Sequence, residues 1–152
     1  MTQQTFPAGA VQRIMISDIE SDLSIHGWEQ QTISIDSDGE ISSFLQEGDA
    51  LMLGNIDGSL ELWVPFETSI NARNVGENVT IEHVRQINVQ DIGGDASCNN
   101  VAGAVIVKSV GNSAELKNIG GELRIDNVGD DLTVLSIAGA VTIGDIGNDV
   151  ET

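Results

Sequence analysis

The chain of 152 residues has a single cysteine, two prolines and no tyrosine. One cysteine, Cys98, excludes an internal disulfide and any CxxC metal site. Aromatic side chains are limited to Phe6, Trp28, Phe44, Trp63 and Phe66, so stacking platforms for sugars or bases are scarce. Positive charge is scarce too. Six Lys and Arg stand against 24 Asp and Glu, a formal net charge of −18. Nucleic acid is thereby excluded as a partner, because phosphate binding needs basic residues to displace counterions. Docking to an anionic membrane surface is disfavoured for the same reason. No apolar run reaches the length of a membrane-spanning helix, and MTQQTFPAGA lacks the basic-then-apolar pattern of an export signal. The chain therefore reads as soluble, without direct membrane insertion, and its compartment stays open.

Hydrophobic residues make up 40% of the chain, enough for a core despite the charge. Their spacing is the informative feature. From Ile87 an aliphatic or small residue recurs every nine positions, at Ala96, Val105, Ala114, Leu123, Leu132, Val141 and Val150. Two places further on stand Val89, Cys98, Val107, Leu116, Ile125, Val134 and Ile143, and five places on stand Ile92, Val101, Val110, Ile119, Val128, Ile137 and Ile146. The first step has the period of two of a strand with one buried face. The third site is preceded by Asn, Asp or Ser and mostly followed by Gly, residues that bend the chain or accept positive φ. Each nonamer is a short strand and a tight corner.

Units can be traced upstream from Ile14, Leu23, Leu51, Leu60, Ile70 and Val79. The stretch 33–49 is irregular, and Pro65 in LWVPFET belongs at a strand end or corner because it cannot donate to a ladder. The fold class predicted is all-β: a single-stranded β-solenoid, or β-helix, of nine-residue strand-turn repeats. NVAGAVIVKSVGNS resembles SIAGAVTIGDIGND 36 residues later, which favours about 18 residues per coil over 27. Seven or eight coils at the inter-strand spacing would make a rod about 35 Å long. We expect one domain over 1–152: a lead-in at 1–12, irregular coils over 13–68 and regular nonapeptide coils over 69–152.

The runs IMISDIESDLSIHGWEQQTISI and LELWVPFETSINARNVGENVTIEHV, with the later Val/Ile-Gly-x-x repeats, resemble the bacterial "putative adhesin" family of β-solenoid domains, a family of unknown function. The resemblance covers roughly residues 5–152; its most specific landmarks are His26-Gly27-Trp28 and Val64-Pro65. It implies a β-helix, a cell-envelope or surface setting, an adhesive or scaffolding role and no catalytic residues. Unlike many members, the chain is expected from this sequence to lack a leader or membrane anchor.

Reactive constellations are hard to find. His26 and His83 have no obvious Cys or Ser partner and read as solvated turn residues. Cys98 aligns with Val89 and Val107, which makes it a buried, inert hydrophobe. Asp130, Asp131, Asp145 and Asp149 crowd the C-terminal corners, but calcium-binding β-rolls need more glycine per repeat. Weak Ca²⁺ binding is the most expected there, with no cofactor and no designed metal site. Mimicry of DNA is disfavoured, since Lys108, Lys117 and Arg124 interrupt any carboxylate ladder. Residues 1–68 hold 12 acids and one base, and residues 69–152 hold 12 acids and five bases.

Two interaction sites follow. Trp63 and Phe66 flank Pro65, where they either form an exposed contact patch or fold over a coil. At the C-terminus the repeat runs on without an atypical cap. Leu132, Val134, Val141, Ile143, Ile146 and Val150 are the expected end-stacking coil, open to a second subunit, head to tail or end-on, or to more repeats of a longer chain. Phe6-Pro7 is the one candidate plug at the other end. The function expected is a non-enzymatic structural or adhesive rod, for surface presentation or end-to-end assembly, with a protein or cell-surface partner. The alternative is a soluble binding or regulatory module whose acidic face engages a basic protein.

Overall fold

The computed structural model describes residues 2–7, 9 and 11–151. They hold seventeen strands and no helix. The strands are β1 (Thr2–Pro7), β2 (Arg13–Ile19), β3 (Leu23–Trp28), β4 (Thr32–Ser37), β5 (Ile41–Glu47), β6 (Ala50–Ile56), β7 (Leu60–Pro65), β8 (Ser69–Val75) and β9 (Val79–Glu82). They continue as β10 (Gln86–Ile92), β11 (Ala96–Val101), β12 (Val105–Val110), β13 (Ala114–Ile119), β14 (Leu123–Val128), β15 (Leu132–Ile137), β16 (Val141–Ile146) and β17 (Val150–Glu151). One sheet has nine strands and the other eight. Among the described residues the pairings are parallel except β1–β4, β4–β7 and β5–β6. This is an all-β, parallel-rich architecture consistent with a β-helix-like fold.

Apolar alternation places the core. From β8 onward consecutive strands alternate between the sheets, and each pair of strands forms a rung. From β10, the partner of each strand lies eighteen residues on: Ile87 against Val105, Val105 against Leu123, and Ala96 against Ala114. Val89, Val107 and Ile125 stack in one sheet; Cys98, Leu116 and Val134 stack in the other. The second apolar site of successive nonamers thus forms two columns that face each other. Both are buried in one continuous cluster running from Val11 to Val134. Parallel strands buried on one face against such a partner stabilise each other through the shared apolar ladder.

The first half departs from a simple succession of coils. The rung β2/β3 does not lie at the end: β2 sits between β6 and β8, and β3 between β7 and β9. The rung β6/β7, later in sequence, stacks on its far side. The irregular residues 33–49 are strands themselves. β4 covers β7 and β5 covers β6, each antiparallel. The lead-in forms β1, antiparallel on β4. That end is therefore capped by reversed strands. The side chain of Phe6, the expected plug, lies outside the described residues.

The corner glycines serve a different purpose from the one expected. Gly93, Gly111, Gly129 and Gly147 do not have positive φ. They stack one above another, and a Cβ on any of the last three would run into the carbonyl oxygen of the glycine one rung before. Close stacking, not a left-handed turn, selects glycine there. Positive φ falls instead on Asn55, His83, Asn100, Asn118 and Ser136, each just before the third apolar site of its unit.

Candidate functional site

The far end of the stack is open. Among the described residues β16 pairs only with β14, and β17 only with β15. Register matches Val141 to Leu123, yet Leu123 is 1% exposed and Val141 is 42% exposed. Val150 is exposed as well, and Ile143 and Ile146 are half-buried against the core. Leu132 and Val134, expected in the same surface, are buried beneath them. The open surface is therefore narrower than the six residues named from sequence: Val141, Ile143, Ile146 and Val150. Val150 is the first apolar residue of the short β17, so one column of the nine-stranded sheet reaches the surface only there.

A second feature runs the whole length of the stack to that end. In the corner leading into each parallel strand of the nine-stranded sheet from β3 to β15, and in the corner after antiparallel β4, a short polar side chain accepts the backbone N–H of its counterpart on the next rung. Asp38 Oδ1 accepts from Ser59 N at 2.7 Å, Ser59 Oγ from Asp22 N at 3.2 Å, and Asp22 Oδ1 from Asn78 N at 3.0 Å. Asn78 Oδ1 then accepts from Asp95 N at 2.9 Å and Asp95 Oδ1 from Ser113 N at 3.0 Å. Ser113 Oγ accepts from Asp131 N at 3.4 Å and Asp131 Oδ1 from Asp149 N at 3.2 Å. The ladder stops at Asp149, whose carboxylate has no partner among the described residues. Sequence reasoning passed over it, although Asp95, Ser113, Asp131 and Asp149 recur every eighteen residues directly ahead of an apolar site. The same facts give the C-terminal acidic corner a structural use. Asp131 Oδ1 is taken up by Asp149 N and by Asn148 Nδ2 at 2.9 Å. Among the described residues no group of three or more His, Cys, Asp or Glu is arranged to hold a metal ion.

Trp63 lies in β7 and Phe66 in the turn that follows it, and the two contact different neighbours. Trp63 is half-buried, with its ring 5.6 Å from His26 and 6.5 Å from Trp28. Phe66 is exposed, 6.1 Å from the ring of His83. His26 is not a solvated turn residue. It sits within β3, where Nδ1 lies 2.9 Å from Glu82 Oε1 and Nε2 lies 3.1 Å from Glu61 Oε2. Its neighbours complete the local arrangement. A Cβ on Gly27 would strike the backbone carbonyl of His83, and Trp28 Nε1 donates to the Thr32 carbonyl at 2.8 Å. His26-Gly27-Trp28 is thus accounted for by packing: a bridge between carboxylates, a close approach and an anchored indole. His83 is exposed at a left-handed corner, in keeping with a turn residue.

Cys98 is buried, and desolvation pushes its thiol up to about 12. A thiol held neutral by an apolar surround is a poor nucleophile.

No family model matches the chain, and no curated protein matches it. Among solved structures it is similar to the crystal structure of a putative cell adhesion protein from Clostridium sporogenes, at 8% identity over 99% of each chain, with a TM-score of 0.47. No helix among the described residues is long and apolar enough to cross a membrane.

Proposed function

We propose that this chain is a non-enzymatic β-solenoid module: a rigid acidic rod of the adhesin-like kind, working at a cell surface or envelope, whose exposed coil of Val141, Ile143, Ile146 and Val150 takes a second copy or further repeats of a longer chain. The observation that carries the reading is the corner ladder, which continues in register through every rung and leaves Asp149 as an unfilled acceptor beside exposed Val141 and Val150. An exposed parallel edge above apolar side chains is a template for another strand. The opposite end is covered by antiparallel β1, β4 and β5, which disfavours head-to-tail stacking and favours an end-on pair of copies related by a twofold axis. The resemblance to the adhesin domains supports the surface setting and the absence of catalysis.

The net charge of −18 opposes association of two copies. Screening shortens that repulsion to about 8 Å at physiological salt, so association strengthens as salt rises. Sedimentation velocity tests this. The mass should double at high salt, and the double substitution Thr142→Lys with Val150→Pro should keep the protein monomeric throughout. An unchanged mass across salt for both proteins overturns self-association. It would favour the second reading, a module whose acidic flank engages a basic protein, for which a cavity of about 580 Å³ lined by Asp18, Glu20, Asp57 and Asp91 is the supporting observation.

A further inference from the structure

The outer face of the eight-stranded sheet carries a groove of about 450 Å³ across β6, β2, β8 and β10, and its chemistry is unlike the rest of the surface. None of its lining residues is a carboxylate. In a molecule with 24 acids and six bases, that is a marked local departure. Two other cavities show the contrast, one lined by Asp18, Glu20, Asp57 and Asp91 and one by Asp22, Asp36, Asp38 and Glu61.

Register builds the groove in rows. Met52, Met15, Asn71 and Asn88 stand side by side on four adjacent strands. Arg73 and Gln90 fall in the next outward row, between the paired positions Ala72–Val89 and Asn74–Asp91. Arg73 is exposed and has no ion-pair partner among the described residues, whereas Arg13, Lys117 and Arg124 each have one. One strand beyond Gln90, between Val89–Val107 and Asp91–Ser109, the same row reaches Lys108, also exposed and unpaired among the described residues. Two strand spacings, about 9.5 Å, separate the rows of the two cations.

We propose that this groove binds an acidic oligosaccharide, a chain of uronate type lying across the strands. Arg73 takes a carboxylate, for which a guanidinium offers paired donors. Asn71, Asn88 and Gln90 both donate and accept, which is what ring hydroxyls require. Met15 and Met52 supply an adaptable apolar floor for the C–H face of a sugar. A second carboxylate along the chain reaches Lys108. A peptide is the poorer fit. The four strands are paired on both edges, so no main-chain groups remain to extend a sheet, and recognition rests on side chains alone. A dense polyphosphate is the poorer fit as well, since it needs many cations to displace its counterions and this row supplies only Arg73 and Lys108.

Titration calorimetry with trigalacturonate, its methyl ester and triglutamate decides the matter. The wild-type protein should bind trigalacturonate with a Kd of about 1 mM or tighter. Arg73→Ala should weaken this by about tenfold or more, Arg73→Lys by less, and Arg85→Ala, in a corner outside the groove, not at all. Esterification should weaken binding as Arg73→Ala does. Circular dichroism checks that each variant is folded, which exposure of Arg73 leads us to expect. No binding to the wild type, equal binding of the ester, or equal binding by Arg73→Ala overturns the proposal. Preferential binding of triglutamate also overturns it and moves the groove to acidic peptides. None of these outcomes depends on the oligomeric state, so this inference and the end-association reading fail separately.

Discussion

Cys98 and His26 differ in legibility for a physical reason. Cys98 occupies the second apolar site of a nonamer, so its burial follows from its neighbours in the repeat. Burial raises its thiol from an ordinary value near 9 to about 12. The native state then holds a proton that the unfolded chain releases above pH 9. Stability from this source is fully present below pH 9 and declines as pH rises towards 12, on the order of 1 kcal/mol per pH unit. Urea unfolding between pH 8 and 11 should show this decline in the wild type and a smaller one in Cys98→Val, which costs less than about 1.5 kcal/mol at neutral pH. A thiol reagent should label the native protein only as fast as it unfolds. Parallel pH curves for the two proteins would sink the argument. His26 could not be placed in the same way. Its partners Glu61 and Glu82 lie 35 and 56 residues away, across strand neighbours that no local spacing names.

At the scale of the strand, the nine-residue period located most of the elements: all six upstream unit starts fall at the beginnings of β2, β3, β6, β7, β8 and β9. Corner chemistry was only half legible, because one residue type answers to two physical demands. Glycine after the third apolar site satisfies a turn or a close stack equally well in sequence, and only the stack is found. Asn, Asp and Ser likewise either bend their own backbone or reach the next rung. Asp95 separates these roles. Its carboxylate accepts Ser113 N on one side, and its own N–H is accepted by Asn78 on the other. Asp95→Ala removes an acceptor from an exposed corner and should cost about 1 kcal/mol. Asp95→Asn keeps an oxygen in place and should stay within about 0.5 kcal/mol of wild type. Denaturant midpoints measure both. Equal losses for the two variants would mean that charge, not the accepted N–H, matters at that corner.

The order of the rungs belongs to the whole molecule, and the repeat does not encode it. A period states which side chains face inward; it does not state which strand lies beside which. From β8 onward the nearest partner is seventeen or eighteen residues away, and chain connectivity leaves little choice. In the first half the excursion through β4 and β5 frees the chain to return on either side of β2/β3, and it returns on the outside. Ile14 consequently pairs with Leu51 and Ile70, at separations far beyond one coil. Closing such contacts carries more loop entropy than adding a neighbouring rung. The regular rungs can therefore assemble first, with β2/β3 fixed on both sides only once β6 to β9 are in place. Hydrogen exchange distinguishes this order from a sequential stack. In a sequential stack residues 13–28 would form a terminal rung and fray with the other end. Flanked on both sides, they should instead exchange as slowly as β10 to β13, while β16 and β17, paired on one side only, exchange first. Mass spectrometry of peptides covering 13–28, 86–119 and 141–151 reads this directly. Fast exchange in 13–28, at the pace of β16 and β17, would show that the rung lies at an edge and that the observed order is wrong.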